Sequence, residues 1–128
     1  RMCTLPQGVT NSLAHMVNGI NKILRDCTLE ITMPFFDNIP IKGSLEEEKD
    51  GSKDETGCRR FVVDHIKDCE KVLQKLENAN LTLSEAKSAF GQPEVLVIGY
   101  LCGAYGRKPS PTKVDAIQEM KEECISQT

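Results

Sequence analysis

The sequence predicts an α+β fold in which an antiparallel sheet is backed by helices. Three observations predict it. Apolar residues recur at spacings of three and four over 11–25 and 59–78, the period of an amphipathic helix. Apolar and polar residues alternate over 29–35, the period of a strand. Neither a Gly-x-Gly-x-x-Gly nor a Walker pattern is present to support a nucleotide-binding parallel sheet.

The elements follow in order. Pro6 and Gly8 make the opening a turn. Leu13, Met16, Val17, Ile20 and Leu24 form one apolar stripe of a helix over 11–25, with Asn11 or Ser12 as its cap. Leu29, Ile31 and Met33 alternate with Glu30 and Thr32 in a strand over 29–35, and a second short strand follows at Ile39–Lys42. Phe36-Asp37-Asn38 joins the two as a hairpin, and Pro34 and Pro40 must lie where no ladder donor is needed. Ser44–Gly57 has no hydrophobic period and reads as a mobile, solvated acidic loop. Val62, Ile66, Cys69, Leu73 and Leu76 mark a helix over 59–78 whose stripe is expected to be buried, with Asn78 and Asn80 suited to its end. Leu81–Ser84 is expected as a short strand and Glu94–Leu101 as another, turning through Gly106. Pro109 and Pro111 bracket an extended piece, and Pro111 or Thr112 opens a last helix running to about Glu123.

Composition narrows the functional classes. With 128 residues, 39% hydrophobic and 27% charged, the chain has the make-up of a globular protein with an aliphatic core, aromatics being only 5%. No apolar run approaches the roughly 20 residues that cross a bilayer, so no membrane contact is expected. The opening Arg1–Pro6 lacks the apolar stretch of a signal peptide, which favours an intracellular location. The net charge of −3 argues against tight independent nucleic-acid binding. Most of that charge lies in Leu45–Thr56, however, and the remainder of the chain is slightly positive. The six cysteines, at 3, 27, 58, 69, 102 and 124, are widely spaced and include no Cys-x-x-Cys pair, which argues against zinc and for reduced, structural thiols. His15 and His65 fall on predicted helices as half-exposed side chains, and Asn80-Leu81-Thr82 is a chance glycosylation match.

The hairpin carries the chemistry. Phe35, Phe36, Asp37 and Asn38 place a carboxylate at the tip of two short apolar strands, and this resembles the catalytic hairpin of reverse transcriptases, an aromatic, any residue, then two aspartates. Leu5-Pro6-Gln7-Gly8-Val9-Thr10-Asn11-Ser12 resembles that family's segment before the long palm helix, whose turn approaches template and incoming nucleotide. Leu81–Ser88 resembles the strand carrying a lysine near the triphosphate, here Lys87, and Val97-Ile98-Gly99-Tyr100 resembles the primer-grip hairpin. Gly106–Ile117 resembles the linker and helix entering the thumb. Five segments in order cover nearly the whole chain, and the likeness is strongest to gypsy-type long-terminal-repeat retrotransposon polyproteins.

The resemblance implies a partial reverse-transcriptase palm over 1–105, with the acidic loop at 44–57, followed by a linker and thumb-entry helix over 106–128. The family polymerises DNA on RNA by two-metal phosphoryl transfer, with Mg²⁺ held by three carboxylates. Asp37 matches one of these ligands. Asn38 departs from the pattern, because an amide brings no negative charge. The family's first aspartate lies upstream of the Pro-Gln-Gly turn, and the chain opens only a few residues before that turn, so the fingers and that ligand are expected to be absent. By resemblance Pro6, Gln7, Gly8, Phe35 and Phe36 would meet template or nucleotide, Lys87 the leaving pyrophosphate, and Ile98, Gly99 and Tyr100 the primer. The expected function is a degenerate polymerase fragment, inactive by itself, with at most weak Mg²⁺ and nucleic-acid binding. Two alternatives stand beside it: a co-opted scaffold that binds a protein or itself through the surface the fingers would cover, and a small secreted protein stapled by its cysteines.

Overall fold

The computed structural model describes residues 8–43 and 51–120. They divide into two units, one ending at Ser84 and the other beginning at Glu85.

In the first unit, α1 (Ser12–Ile23) passes through Leu24 into a 3-10 turn at Arg25–Cys27. Asn11 occupies the N-cap position in the left-handed region (φ 70°) and makes no side-chain cap bond, contrary to the expected capping role. The C-terminal half of the apolar stripe is used: Ile20 and Leu24 are buried, whereas Leu13 and Met16 stay exposed. α2 (Arg60–Asn78) ends in a Schellman arrangement. Asn80 takes the left-handed position (φ 55°), its N–H donates to the Glu77 carbonyl, and the Leu81 N–H donates back to Leu76. Asparagine tolerates this conformation through its short polar side chain.

One cluster forms the core of this unit: Ile20, Leu24, Cys27, Ile31, Val72 and Leu76, with Ile23, Ile39 and Ile41 packed against it. The predicted α2 stripe is therefore displaced. Val72 and Leu76 are buried, Leu73 is half-buried, and Val62 and Ile66 are exposed. A period of 3.6 fixes which residues share a face, but only the neighbours present decide how much of that face is covered.

The two strands expected at 29–35 and 39–42 shrink to isolated pairs, Thr32 with Ile41 and Phe35 with Asn38. Pro34 and Pro40 have no N–H to give a continuous ladder. Leu29 also turns into the left-handed region (φ 74°), and Thr28 pairs with Thr32 across that turn, so the alternation is broken and only Ile31 of its apolar set is buried. Side chains and backbone hold what the ladder does not. The buried Thr32 hydroxyl donates to the Pro40 carbonyl at 2.7 Å, and the Lys42 N–H donates to Ile31 at 3.0 Å. Asp26 and Lys75 join the 3-10 turn to α2 through an ion pair of 3.0 Å.

Part of the acidic loop, 44–50, lies outside the described residues. In the rest, Asp54 Oδ1 accepts from the Thr56 hydroxyl, the Thr56 N–H and the Cys58 N–H, and Lys53 pairs with Arg59. The Thr56 hydroxyl, foremost, holds the Asp54 carboxyl below its ordinary pKa. The strand expected at Leu81–Ser84 is not formed.

The second unit opens with a 3-10 turn at Glu85–Lys87 and continues into a three-stranded antiparallel meander, β1 (Glu94–Val97), β2 (Tyr100–Gly103) and β3 (Gly106–Pro109). The single strand expected over 94–101 is thus two strands, broken by a turn at Ile98-Gly99 where both residues have positive φ (52° and 72°). Gly106–Pro109, expected as linker, is the third strand. α3 (Pro111–Gln118) begins with proline at its first turn, where a missing N–H costs nothing. Residues 121–128, into which the helix was expected to continue, lie outside the described residues. The sheet of the described chain is this meander alone; the segments 29–42 and 81–84 add no strand to it.

Candidate functional site

The turn at Phe36-Asp37 is the first candidate. Phe35 and Asn38 exchange both backbone bonds, at 2.9 and 3.0 Å, which makes a two-residue hairpin loop of Phe36 and Asp37. Positive φ at Phe36 (54°) and not at Asp37 is the pattern of a type II′ turn, whose first central position is a glycine position. A bulky residue there is strained, by roughly 1–2 kcal/mol, and such strain gathers at functional sites. The Phe35 and Phe36 rings meet edge to face at 4.5 Å between centroids, which offsets part of this cost. Behind the turn, Ile31, Ile39 and Ile41 fasten its arms to the core. Asp37 and Asn38 are both exposed at the tip.

Asp37 is one carboxylate, and Asn38 contributes an uncharged amide. Among the described residues no group of three His, Cys, Asp or Glu side chains converges as a metal site requires. Two divalent cations a few ångströms apart repel strongly unless clustered carboxylates surround them. The described residues therefore do not fit a pair of Mg²⁺ ions.

The remaining resemblance-derived residues are placed as follows. Pro6 and Gln7 lie outside the described residues, and Gly8 is exposed with φ 88°. Lys87 ends the 3-10 turn of the second unit and is exposed. Ile98 and Gly99 are the two turn residues between β1 and β2, and Tyr100 opens β2 opposite Val97. A turn stands at Ile98-Gly99 where the strand pattern alone placed a continuous strand.

Sequence reasoning did not single out what surrounds Tyr100. The Arg107 guanidinium lies 5.6 Å and the Lys113 ammonium 5.0 Å from its ring centroid. The opposite face of the sheet carries the Glu94–Lys108 ion pair at 3.4 Å, with Lys108 also 4.4 Å from the Tyr105 ring. The local signal was Gly-Arg-Lys-Pro at 106–109, a few residues after Tyr100.

One thiol lies beside a histidine. Cys69 Sγ lies 3.6 Å from His65 Nε2, but burial, with Asp68 beside it, raises the Cys69 pKa and disfavours the thiolate. Cys27, Cys58, Cys69 and Cys102 are free. Among the described residues no helix is long and apolar enough to cross a membrane.

Comparison with known proteins finds similarity to retrotransposon polyproteins. It is 31% identical over 118 residues, 92% of its length, to the transposon Tf2-7 polyprotein of Schizosaccharomyces pombe, and equally so to the Tf2-8 polyprotein. The Tf2-3 polyprotein of the same yeast is 30% identical over the same span. The chain spans only 8% of the length of these relatives. No family model matches, and no solved structure matches. The similarity supports a region of a retrotransposon polyprotein.

Proposed function

We propose that the chain is a reverse-transcriptase palm segment that holds primed template and does not polymerise by itself. The observation that supports this most is the strained turn: a bulky Phe36 occupies a glycine conformation so that Asp37 stands exposed at a hairpin tip, in a chain whose relatives are retrotransposon polyproteins. Sterics would favour glycine at Phe36 if the turn served only to reverse the chain. The Ile98-Gly99 turn with its basic and aromatic flank is the second part of the reading, as the surface for nucleic acid.

Catalysis is not expected of these 128 residues, because nucleotide addition needs its metals held by clustered negative charge and the turn brings one carboxylate. The test is in two parts. A labelled RNA–DNA primed duplex should bind the purified chain at low salt by fluorescence anisotropy. Primer extension with Mg²⁺ or Mn²⁺ should give no product with the wild type, with Asp37→Ala or with Asn38→Asp, since the last adds only one carboxylate. Extension by the wild type above the Asp37→Ala control overturns the inactive reading. Absence of duplex binding overturns the palm reading.

A further inference from the structure

We propose that His65 and Cys69 of α2 are half of a tetrahedral site for a thiophilic divalent cation such as Zn²⁺, completed by the same pair of a second copy of the chain. The site is separate from the Phe36-Asp37 turn and does not depend on nucleic-acid binding. It needs no Cys-x-x-Cys pair, because a helix brings residues i and i+4 to one face. Cys69 Sγ lies 3.6 Å from His65 Nε2. A Zn–S bond of about 2.3 Å and a Zn–N bond of about 2.0 Å, at the tetrahedral angle, put their donor atoms about 3.5 Å apart. The pair is therefore spaced as two ligands of one ion. The rest of the imidazole points the same way. Its Nδ1 is buried and has no hydrogen-bond partner among the described residues. A buried polar atom left so costs free energy, and a metal bond at the other ring nitrogen offsets that cost. Both side chains are half-buried, so solvent reaches the pair. Sulfur and imidazole nitrogen select a zinc-like ion over Mg²⁺.

The donor count points to the second copy. A structural zinc ion takes four protein ligands. Among the described residues no third His, Cys, Asp or Glu joins the pair. A two-fold axis beside α2 doubles what is present and gives two sulfurs and two nitrogens, a complete tetrahedral set. The surface around the pair suits such an axis. Val62 and Ile66 are exposed, and they share one apolar stripe of α2 with Cys69 and Leu73. Two copies meeting along this stripe bury those side chains and bring both pairs to the axis. Each Cys69 thiol gives its proton to solvent as its bond to the metal forms, and the two thiolates balance the charge of the ion.

The experiment titrates the full chain, kept reduced by a phosphine, with Co²⁺ as a coloured stand-in for Zn²⁺. A thiolate-to-cobalt charge-transfer band and intense tetrahedral d–d bands should appear and saturate at about one ion per two chains. Zn²⁺ should abolish these bands by displacement, and excess Mg²⁺ should not. In sedimentation velocity, Zn²⁺ should convert monomer to dimer, and a chelator should reverse it. Cys69→Ala and His65→Gln should each lose both the bands and the dimer. Cys69→His should keep the Zn²⁺-dependent dimer but lose the charge-transfer band, which separates a metal ligand from a residue needed only for packing. Cys3→Ser, Cys58→Ser, Cys102→Ser and Cys124→Ser together should change neither readout. Bands that survive in Cys69→Ala, or that vanish with the four serine substitutions, overturn the site. Saturation at one ion per chain in a monomer overturns the second copy as its other half.

Discussion

The turn at Phe36-Asp37 has a single pair on its arms, Phe35 with Asn38, and a buried cluster behind them. The turn at Ile98-Gly99 has four ladder pairs in register between β1 and β2, and no buried apolar residue among the described residues of its unit. The first is held by packing, the second by hydrogen bonds. The difference follows from composition. Pro34 and Pro40 remove donors from the first hairpin, so side chains such as Ile39 and Ile41 must fix it. The second has no proline until Pro109, and its apolar residues, Leu96 and Ile98 among them, face solvent. Packing fixes a site within tenths of an ångström, whereas a lone meander remains adaptable.

The largest effect should come from the core. Leu76 is 2% exposed, and Leu76→Ala should cost about 2–5 kcal/mol. Leu96 is 64% exposed, and Leu96→Ala should stay within about 0.5 kcal/mol. Urea unfolding followed by circular dichroism measures both. Equal losses would break the comparison, because they would mean that the meander has packing of its own.

The turns themselves come next. Gly99→Ala introduces a Cβ at positive φ and against the Lys113 side chain, and should cost about 1–2 kcal/mol locally. Ile98→Asn places a residue that tolerates positive φ where a β-branched one is strained, and should stabilise the same hairpin by about 1 kcal/mol. At the first turn the balance differs. Phe36→Gly relieves the strain but gives up the ring contact with Phe35, worth about 0.5–1.5 kcal/mol, so its net change should be near zero. Amide hydrogen exchange at Val97 and Tyr100, compared with Phe35 and Asn38, reads these local stabilities. Faster exchange at Tyr100 in Ile98→Asn would contradict the strain argument.

How much of this was legible in the sequence depends on how local the cause is. Helix existence was legible, since the Ile20–Leu24 and Cys69–Leu76 spacings are set by the chain itself. The proline start of α3 and the asparagine end of α2 were legible for the same reason. Which part of each stripe is buried was not, because Val62, Ile66, Leu13 and Met16 have the right period and no neighbour to cover them. The sheet was misplaced. Alternation at 29–33 looked like a strand, but the turn at Leu29 and the prolines outweigh it. The break at Ile98-Gly99 was hidden by a run of apolar residues on both sides, with Gly99 the only local sign. At the candidate site the Phe-Phe-Asp-Asn turn was legible from its residue types. Lys113 over Tyr100 was not, because thirteen positions of chain and a helix boundary have to be folded before the two meet.

The smallest expected effect concerns the pair that ties the 3-10 turn to α2. The Lys75 ammonium, hydrogen-bonded to Asp26 at 3.0 Å, holds the Asp26 carboxyl below its ordinary pKa, and Asp26 in turn raises that of Lys75. The sign follows from which state binds the proton more tightly. The carboxyl is a weaker base in the folded chain than in the unfolded one, so the pair's contribution is present above the unfolded value of about 3.9. It is lost as pH falls through the lower, folded value. Both partners reach solvent, so salt should weaken the contribution as well. Asp26→Asn should therefore flatten the acid limb of a urea-midpoint profile taken from about pH 5 to about pH 2 and leave the neutral region nearly unchanged. The same variant should leave exchange at Val97 and Tyr100 untouched, since the pair belongs to the first unit alone. A steeper acid limb in Asp26→Asn would mean that Lys75 finds another carboxylate whose protonation then takes over the loss.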